Sequence, residues 1–327
     1  MIVFGGKDTV KKGDIRMNNE SYYETIKGFP TYNPSKVLLY KDELEKKKVV
    51  FLELHPSTAC NHKCIWCRYW GMSKKNTLEL DYMENLLNKF PMLKGVRISG
   101  GGEPLVNKNT PCIIEIFGQQ GIKIGLDSNG ALFDDYSIQK VGKYCQYARI
   151  SLDAATRETY KKVHGKDDFN KVINNIKKLA NTDLPELGVS YLVTKHNVHE
   201  IPKLADLDLP VNYVHLKPLI EGIDKRTQIA SLGLIKLLED KVHYDLKYDR
   251  ILADYYFNKN VKCRITDIIR VIGGDGKEYV CCEHAYEPDF EYGVWKGSTD
   301  KCTQCRYNPY NEVIDMYLKN KFTKEFL

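Results

Sequence analysis

The stretch that decides the fold reads Val49-Val-Phe-Leu-Glu-Leu-His-Pro-Ser-Thr-Ala-Cys-Asn-His-Lys-Cys-Ile-Trp-Cys-Arg68. Residues 49–54 are mostly apolar and begin with two β-branched valines, which predicts a strand. The loop after it places Cys60, Cys64 and Cys67 in the spacing Cys-x3-Cys-x2-Cys. Thiolates are soft ligands that favour zinc, copper(I) or iron–sulfur clusters. The stretch therefore predicts a strand that ends in a metal-binding loop.

The number of thiols limits which metal site this loop forms. A structural zinc site closes with four protein ligands, and a 4Fe–4S cube that only carries electrons also takes four thiolates. Three cysteines leave one iron of a cube open to a small molecule. The alternatives are a partial zinc site, with His55 or His62 as fourth ligand, and a chance cluster of cysteines.

The spacing, with the aromatic Trp66 directly before the last cysteine, resembles the signature of the radical S-adenosylmethionine (radical SAM) superfamily. The resemblance implies a 4Fe–4S cluster on Cys60, Cys64 and Cys67, with Trp66 at the cofactor site. It also implies that the open iron binds the methionine part of SAM. Reduction then cleaves SAM to a 5′-deoxyadenosyl radical, which abstracts hydrogen from a substrate. An electron donor such as flavodoxin or ferredoxin is the implied partner.

Composition narrows the function classes. The chain has 327 residues, of which 43% are hydrophobic, and its net charge is +6 from 49 basic and 43 acidic residues. This mild basic excess permits an anionic substrate and does not require nucleic acid. We find no secretory segment at the start and no apolar stretch long enough to span a bilayer, so we expect a cytoplasmic protein. In that compartment the ten cysteines indicate metal or redox ligands rather than disulfides.

From residue 49 onward the pattern alternates between strand and helix. Predicted strands cover residues 49–54, 96–99, 123–127, 148–152, 188–193 and 211–216, with amphipathic helical patterns between most of them. Such alternation with short connections predicts a parallel α/β sheet. The resemblance implies a partial (β/α)6, TIM-like barrel. The expected domains are an N-terminal arm (1–48), the barrel (49–218), a connecting helical segment (219–262) and a C-terminal cluster-binding extension (263–327).

The second strand runs into Ser99-Gly-Gly-Gly-Glu-Pro104. Glycines let the backbone approach a ligand closely. The motif resembles the Gly-Gly-Glu-Pro motif of the family, whose backbone binds the methionine amino group of SAM. The expected cofactor-binding residues here are Gly100, Gly101, Gly102 and Glu103. Taken alone, the motif is also a glycine turn closed by proline.

Other strand ends carry polar candidates, because sites in parallel α/β sheets lie at the carboxyl ends of the strands. They are Ser128 and Asn129 after strand three, Ser151 and Asp153 after strand four, and Lys217 after strand six. The alternatives are a plain Asn-Gly turn for the first pair and a surface lysine beside proline for the last. We interpret His164 as a structural loop residue, and Cys112 and Cys145 as core.

A second set of cysteines lies in the C-terminal part of the sequence: Cys263, Cys281, Cys282, Cys302 and Cys305. The Gly-Asp-Gly turn at residues 274–276 predicts a hairpin between the first two. The spacing resembles the SPASM/twitch extension of radical SAM enzymes, which implies an auxiliary 4Fe–4S cluster on Cys263, Cys281, Cys302 and Cys305. Four thiolates in this order also suit zinc. Cys282 is left over, either as a small buried hydrophobe or as a catalytic hydrogen donor.

These features predict a radical SAM oxidoreductase or epimerase that acts on a small polar substrate, such as a sugar, an aminosugar or a nucleotide-linked unit. If a cluster accepts an electron from the substrate radical, an alcohol becomes a ketone, whereas a hydrogen returned by Cys282 inverts a stereocentre. Two further hypotheses are a peptide maturase and a non-catalytic zinc-binding module. The sequence does not name the substrate.

Overall fold

A computed structural model describes residues 38–72, 75–219, 225–239, 241–248, 263–297 and 308–320. Within these residues one sheet has the strand order β7-β6-β5-β4-β3-β2-β1-β8-β9. Neighbouring strands pair in parallel except β8 and β9, which form an antiparallel pair. The strands are β1 Phe51–Leu54, β2 Gly95–Ile98, β3 Lys123–Ser128, β4 Tyr147–Ser151, β5 Glu186–Val193, β6 Tyr213–Pro218, β7 Asp245–Tyr248, β8 Ile269–Ile272 and β9 Glu278–Tyr279.

Helices precede, connect and follow the strands. They are α1 Lys41–Glu45, α2 Asp81–Lys89, α3 Thr110–Gln119, α4 Asp135–Tyr144, α5 Arg157–His164, α6 Phe169–Ala180, α7 Lys225–Glu239 and α8 Asn308–Asn320, with short 3₁₀ segments at Pro104–Val106, Val198–Leu207, Ile265–Asp267 and Pro288–Phe290. The strand order has two ends, β7 and β9, so the sheet is not closed. The expected partial TIM-like barrel of α/β class is confirmed.

Side-chain alternation separates the two faces of the sheet. Leu52 and Leu54 of β1, with Val96 and Ile98 of β2, are buried in one apolar cluster with the helices. The apolar stripe of α6 joins the same cluster through its buried residues, which are Phe169, Val172, Ile176 and Leu179. Because successive side chains of a strand point to opposite faces, the residues between them lie on the inner face. The inner face therefore carries polar side chains such as Glu53 and Arg97 together with apolar ones such as Phe51.

Two segments differ from the sequence prediction. The strand Asp245–Tyr248 lies in the segment expected to be helical. Its four residues alternate in polarity, but so short an alternation is a weak signal inside a segment with a helical pattern. His164 was expected in a loop, but it is the buried last residue of α5. Gly165 ends that helix in the left-handed conformation, with φ of 67°.

The predicted C-terminal hairpin is present. Its strands β8 and β9 pair Val271 with Tyr279, and the turn between them contains Gly276 with φ of 75°. β8 also pairs in parallel with β1, which brings the C-terminal segment directly beside the strand that precedes the cysteine loop. Most of the expected N-terminal arm, residues 1–37, lies outside the described residues.

None of the helices within the described ranges has the length and apolar character needed to cross a bilayer.

Candidate functional site

The cysteine loop is held by the end of helix α5. The Lys63 amide donates to the carbonyl of His164 at 2.9 Å, and the Ile65 amide donates to the carbonyl of Val163 at 3.0 Å. Gly165 fits closely against this backbone, since a Cβ there would lie 2.9 Å from the Lys63 carbonyl oxygen. The cysteine loop is therefore fixed from the outside by a helix that begins about ninety residues further along the chain.

The three cysteines of this loop differ in exposure. Cys60 and Cys67 are exposed, Cys64 is half-buried, and none of them is in a disulfide. The loop tightens between the last two, where the Cys67 amide donates to the Cys64 carbonyl at 3.1 Å. Trp66 is half-buried, and its ring centroid lies 6.4 Å from that of His164. The loop therefore carries three thiols that are at least partly accessible.

The glycine loop is joined to the cysteine loop backbone to backbone. The Glu103 amide donates to the Ala59 carbonyl at 2.9 Å. A Cβ at Gly102 would lie 2.6 Å from the Ala59 carbonyl carbon and 2.7 Å from that of Thr58. Only glycine allows such a close approach at this position. The two motifs that the sequence predicts to hold the cofactors therefore form one continuous surface.

The side chain of Glu103 contacts protein groups. Its buried carboxylate accepts hydrogen bonds from the Ser128 hydroxyl at 2.7 Å, the Asn129 amide at 2.7 Å and the Leu105 amide at 3.2 Å. Burial raises the pKa of this carboxyl group, and these donors lower it in part. Glu103 and Ser128 thus tie together the ends of β2 and β3. The side chain of Asn129 reaches back to Asn61 of the cysteine loop, with its amide donating at 2.7 Å.

The end of β4 places Asp153 deep in the site. This residue is buried and has φ of 55°, and its carboxylate accepts a hydrogen bond from the Leu192 amide at 2.6 Å. Burial raises the pKa of Asp153 to about 6. Ser151 is half-buried and pairs in register with Ser190 of β5. Lys217 is half-buried, and its positive charge acts to lower the pKa of Asp153.

Two histidines lie beside Cys64: His62, which the sequence analysis named as a possible zinc ligand, and His164, which it did not assign to the site. The thiol of Cys64 lies 3.1 Å from Nδ1 of His164, and His62 Nε2 lies 3.1 Å from the carboxylate of Asp168. One ligand atom each from His62, Cys64 and His164 fall within 4.8 Å of one another. The sequence signal that could have placed His164 at the end of a helix is the glycine that follows it, since glycine often ends a helix. Of the two histidines considered as the fourth ligand of a zinc site, His62 lies beside Cys64. Both ring nitrogens of His55 instead contact Glu53 and Tyr286.

The inner face of the sheet carries a row of alternating charges. Arg97 lies 3.0 Å from the carboxylate of Glu53 and 2.5 Å from that of Asp127, and Arg149 contacts Asp127 at 2.9 Å. Burial alone would raise the pKa of Glu53, but Arg97 and the hydrogen bonds to it bring that pKa well below its ordinary value. These largely buried ion pairs connect the first four strands below the site.

Replacing Arg97 with leucine is expected to lower the free energy of unfolding by about 3 kcal/mol, because the carboxylate of Glu53 loses its arginine partner inside the sheet. Denaturant unfolding monitored by circular dichroism measures the change. Arg157→Leu is the control, since Arg157 pairs with Asp167 on the surface and exposed pairs contribute little. Equal unfolding midpoints for both variants would contradict the structural role of the charged row.

The C-terminal cysteines are described in part. Cys263 and Cys281 are half-buried, whereas Cys282 is buried in an apolar cluster with Phe51 and Ile265. Cys302 and Cys305 lie outside the described residues. Elsewhere, the buried Cys145 belongs to the core as expected. The expectation for Cys112 was wrong, because its half-exposed thiol faces the Tyr136 hydroxyl at 3.4 Å between two helices.

The chemistry of the cysteine loop fits an iron–sulfur cluster. Burial raises the pKa of Cys64, and the negative charges of Asp153 and of the other two cysteines raise it further. A thiol in such surroundings binds a metal as the thiolate only beside a strongly cationic partner, which the iron ions of a cube provide. Cys60, Cys64 and Cys67 are the residues that would hold this cluster.

Sequence comparisons agree with this interpretation. A sequence model described as the Radical SAM superfamily matches residues 54–207. The chain is 30% identical over 166 residues to a probable GTP 3′,8-cyclase of Methanocaldococcus jannaschii, covering 49% of this chain and 55% of that protein. It is also 30% identical over 215 residues to a probable GTP 3′,8-cyclase of Saccharolobus islandicus, covering 63% of this chain and 64% of the relative. The chain thus spans less than two thirds of the length of these relatives.

Structural comparison supports the same fold. SuiB of Streptococcus suis bound to S-adenosylmethionine has a TM-score of 0.61 at 15% identity, covering 85% of this chain and 69% of SuiB. SuiB bound to its precursor peptide SuiA has a TM-score of 0.60 at 16% identity, covering 83% of this chain and 70% of SuiB. At this identity the likeness establishes the fold alone. The match to the Radical SAM superfamily thus covers residues 54–207, the segment that carries both motifs.

Proposed function

We propose that this radical SAM enzyme oxidises a small anionic substrate of the nucleotide or nucleotide-sugar class. In this proposal Cys60, Cys64 and Cys67 hold a 4Fe–4S cluster, and the backbone of residues 100–102 binds the methionine part of SAM. When bound, the cluster and SAM together supply a 5′-deoxyadenosyl radical that abstracts a hydrogen atom from a substrate C–H bond.

The backbone junction between the two loops carries this proposal. The amide of Glu103 donates to the carbonyl of Ala59, directly before the first cysteine. The loop that would hold the cluster and the loop that would bind SAM are therefore already joined in the folded chain. Asn129, whose side-chain amide lies 3.9 Å from the Cys60 sulfur, is the residue that would contact SAM from the end of β3.

Basic side chains suited to an anion belong to the strands of the inner face. Arg97, Arg149 and Lys217 lie there together with the carboxylates of Glu53, Asp127 and Asp153. Arginine and lysine side chains are the donors that most often bind phosphate groups in proteins. The names of the two sequence relatives, probable GTP 3′,8-cyclases, support a nucleotide among the anions to be tested.

Oxidation of an alcohol carbon requires that the carbon radical lose one more electron and the hydroxyl proton. We assign the electron to an auxiliary 4Fe–4S cluster on Cys263, Cys281, Cys302 and Cys305, with flavodoxin or ferredoxin as the external donor for the first cluster. Asp153 is the candidate acceptor of the proton, since burial raises its pKa to about 6, close to that of a useful general base.

Anaerobic assays of the reconstituted, reduced protein test the proposal. Nucleotides and nucleotide sugars are expected to increase the formation of 5′-deoxyadenosine from SAM and to yield a product two hydrogens lighter. The same screen includes short peptides. If peptides but no anionic metabolites stimulate SAM cleavage, the chain is a peptide maturase and the proposed substrate class is wrong.

The fate of the substrate radical can be followed in deuterated water. We expect no solvent deuterium at the product carbon, and activity within about threefold of the native protein in Cys282→Ala, because the Cys282 side chain packs in an apolar cluster. Cys145→Ala, which removes another buried thiol, is the control. One solvent deuterium at carbon, together with loss of activity in Cys282→Ala alone, would instead establish Cys282 as the hydrogen donor of an epimerase.

A further inference from the structure

Tyr286 lies against the glycine loop, although it belongs to the C-terminal segment. A Cβ at Gly101 would be 2.7 Å from Cζ of the Tyr286 ring, and a Cβ at Gly273 would be 2.9 Å from its Cε1. The ring is therefore enclosed between the glycine loop and the hairpin turn after β8. Tyr286 also has φ of 73°, a conformation that non-glycine residues keep only when their surroundings fix it.

The hydroxyl group of Tyr286 is fixed by partners from two elements. It accepts a hydrogen bond from the Gly274 amide at 3.2 Å and lies 3.0 Å from Nδ1 of His55. Nε2 of His55 lies 3.3 Å from the carboxylate of Glu53, which can only accept. In a neutral His55, Nε2 therefore carries the proton, and Nδ1 accepts from the Tyr286 hydroxyl. The chain Tyr286–His55–Glu53 connects the C-terminal segment to the end of β1.

The same segment contacts the far end of the cysteine loop. The Tyr69 hydroxyl donates to the carbonyl of Cys282 at 2.8 Å, and Arg68 donates to the carbonyl of Glu283 at 2.5 Å. The rings of Tyr69 and Tyr286 meet edge to face, with centroids 5.8 Å apart. Residues 282–286, which we call the C-terminal clamp, thus contact both loops of the radical SAM domain.

We propose that Tyr286 is a positioning residue for SAM: its ring supports Gly101, and its hydroxyl anchors the clamp to His55. This inference rests on the proposed function, because it assigns SAM to the glycine loop. The clamp follows Cys281 directly in the chain, and it contacts the glycine loop, where the proposed function places SAM. Tyr286 acts through the backbone of the glycine loop and takes no part in the radical step.

Equilibrium dialysis of SAM against the reconstituted protein tests this role. Tyr286→Phe, which keeps the ring and loses both hydrogen bonds, is expected to raise the Kd for SAM about threefold to tenfold. Tyr286→Ala, which also removes the support of Gly101, is expected to raise it more than about tenfold. The rate of 5′-deoxyadenosine formation at saturating SAM stays near the native value, since only binding is weakened.

Tyr279→Phe is the matched control. The Tyr279 hydroxyl donates to Asp275 at 2.7 Å, and its ring centroid lies 5.3 Å from that of Tyr286. The control therefore removes a tyrosine hydroxyl from the same hairpin region without touching the glycine loop, and an unchanged Kd is expected. Iron content and the spectral change of the reduced cluster on SAM addition are recorded for each variant, so that loss of the cluster is distinguished from loss of SAM binding.

A pair of substitutions at Gly101 and Tyr286 distinguishes support of the glycine loop by the Tyr286 ring from a general loss of folding. Gly101→Ala alone is expected to bind SAM poorly, because the new methyl group collides with the Tyr286 ring. Adding Tyr286→Ala makes room for that methyl group, so the double variant is expected to bind SAM more tightly than Gly101→Ala. A native Kd in Tyr286→Ala, or no recovery in the double variant, would overturn the inference. If the native protein itself fails to bind SAM, the proposed function is wrong instead.

Discussion

Replacing Cys60, Cys64 and Cys67 with alanine is expected to abolish the formation of 5′-deoxyadenosine and to remove one of two clusters. These thiols lie on one loop, and none of them is in a disulfide. With a cube on each cysteine set, iron should fall from about eight to about four per chain. Iron and sulfide analysis after anaerobic reconstitution, with liquid chromatography of the nucleoside product, measures both effects.

The double variant Cys112→Ala/Cys145→Ala controls for the loss of thiols outside the loop, and it should keep the native iron content. If the native protein instead holds about four irons per chain and the triple variant holds none, the C-terminal cysteines bind no cluster. Electron transfer from the substrate radical to a second cluster would then be excluded. Zinc without iron in the native protein would contradict the radical mechanism and favour the site around His62 and His164.

Replacing Gly102 with alanine is expected to lower SAM cleavage at least about a hundredfold, because it separates the two loops that hold the cofactors. The added Cβ would lie 2.6 Å from the carbonyl carbon of Ala59. The added methyl group would collide with backbone atoms of Ala59 and Thr58, so no side-chain rotation relieves the contact. We therefore expect the hydrogen bond from the Glu103 amide to the Ala59 carbonyl to be lost. The Kd for SAM and the rate of 5′-deoxyadenosine formation measure the effect.

Gly233→Ala is the matched control for this glycine substitution. Gly233 lies in helix α7, and nothing lies within 4 Å of a Cβ placed there. Alanine is favoured over glycine inside a helix, so activity should be native and stability equal or higher. Native SAM affinity in Gly102→Ala would show that the backbone junction does not position the cofactor.

Local patterns were sufficient for most of the fold. The runs before the polar motifs predicted strands β1 to β6 to within a few residues, and the helical patterns between them match helices of the sheet connections. Periodicity reports which face of an element is buried, and that information lies within about a dozen residues. Strand β7 was missed because its alternation lasts only four residues inside a segment with a helical pattern, and no site motif marks its end.

The side chains of the site were less predictable than its loops. The glycine loop motif includes Glu103, but only the fold shows that its carboxylate joins β2 to β3. His164 and Tyr286 reach the site from α5 and from the C-terminal clamp, and neither belongs to a motif that names its partner. A motif fixes spacing along the chain, whereas these contacts depend on which strand ends become neighbours.

The sequence by itself determined the chemistry: three thiols at cluster spacing, a glycine-rich loop at the next strand end, and a strand–helix alternation that makes a parallel sheet. Only the tertiary structure decided how these parts are joined. It pairs β8 with β1 and thereby brings Tyr286 to His55 across 231 positions of sequence. The physical reason is that residue types and spacing determine which ligands and elements form, but the burial of shared apolar faces determines which of them meet.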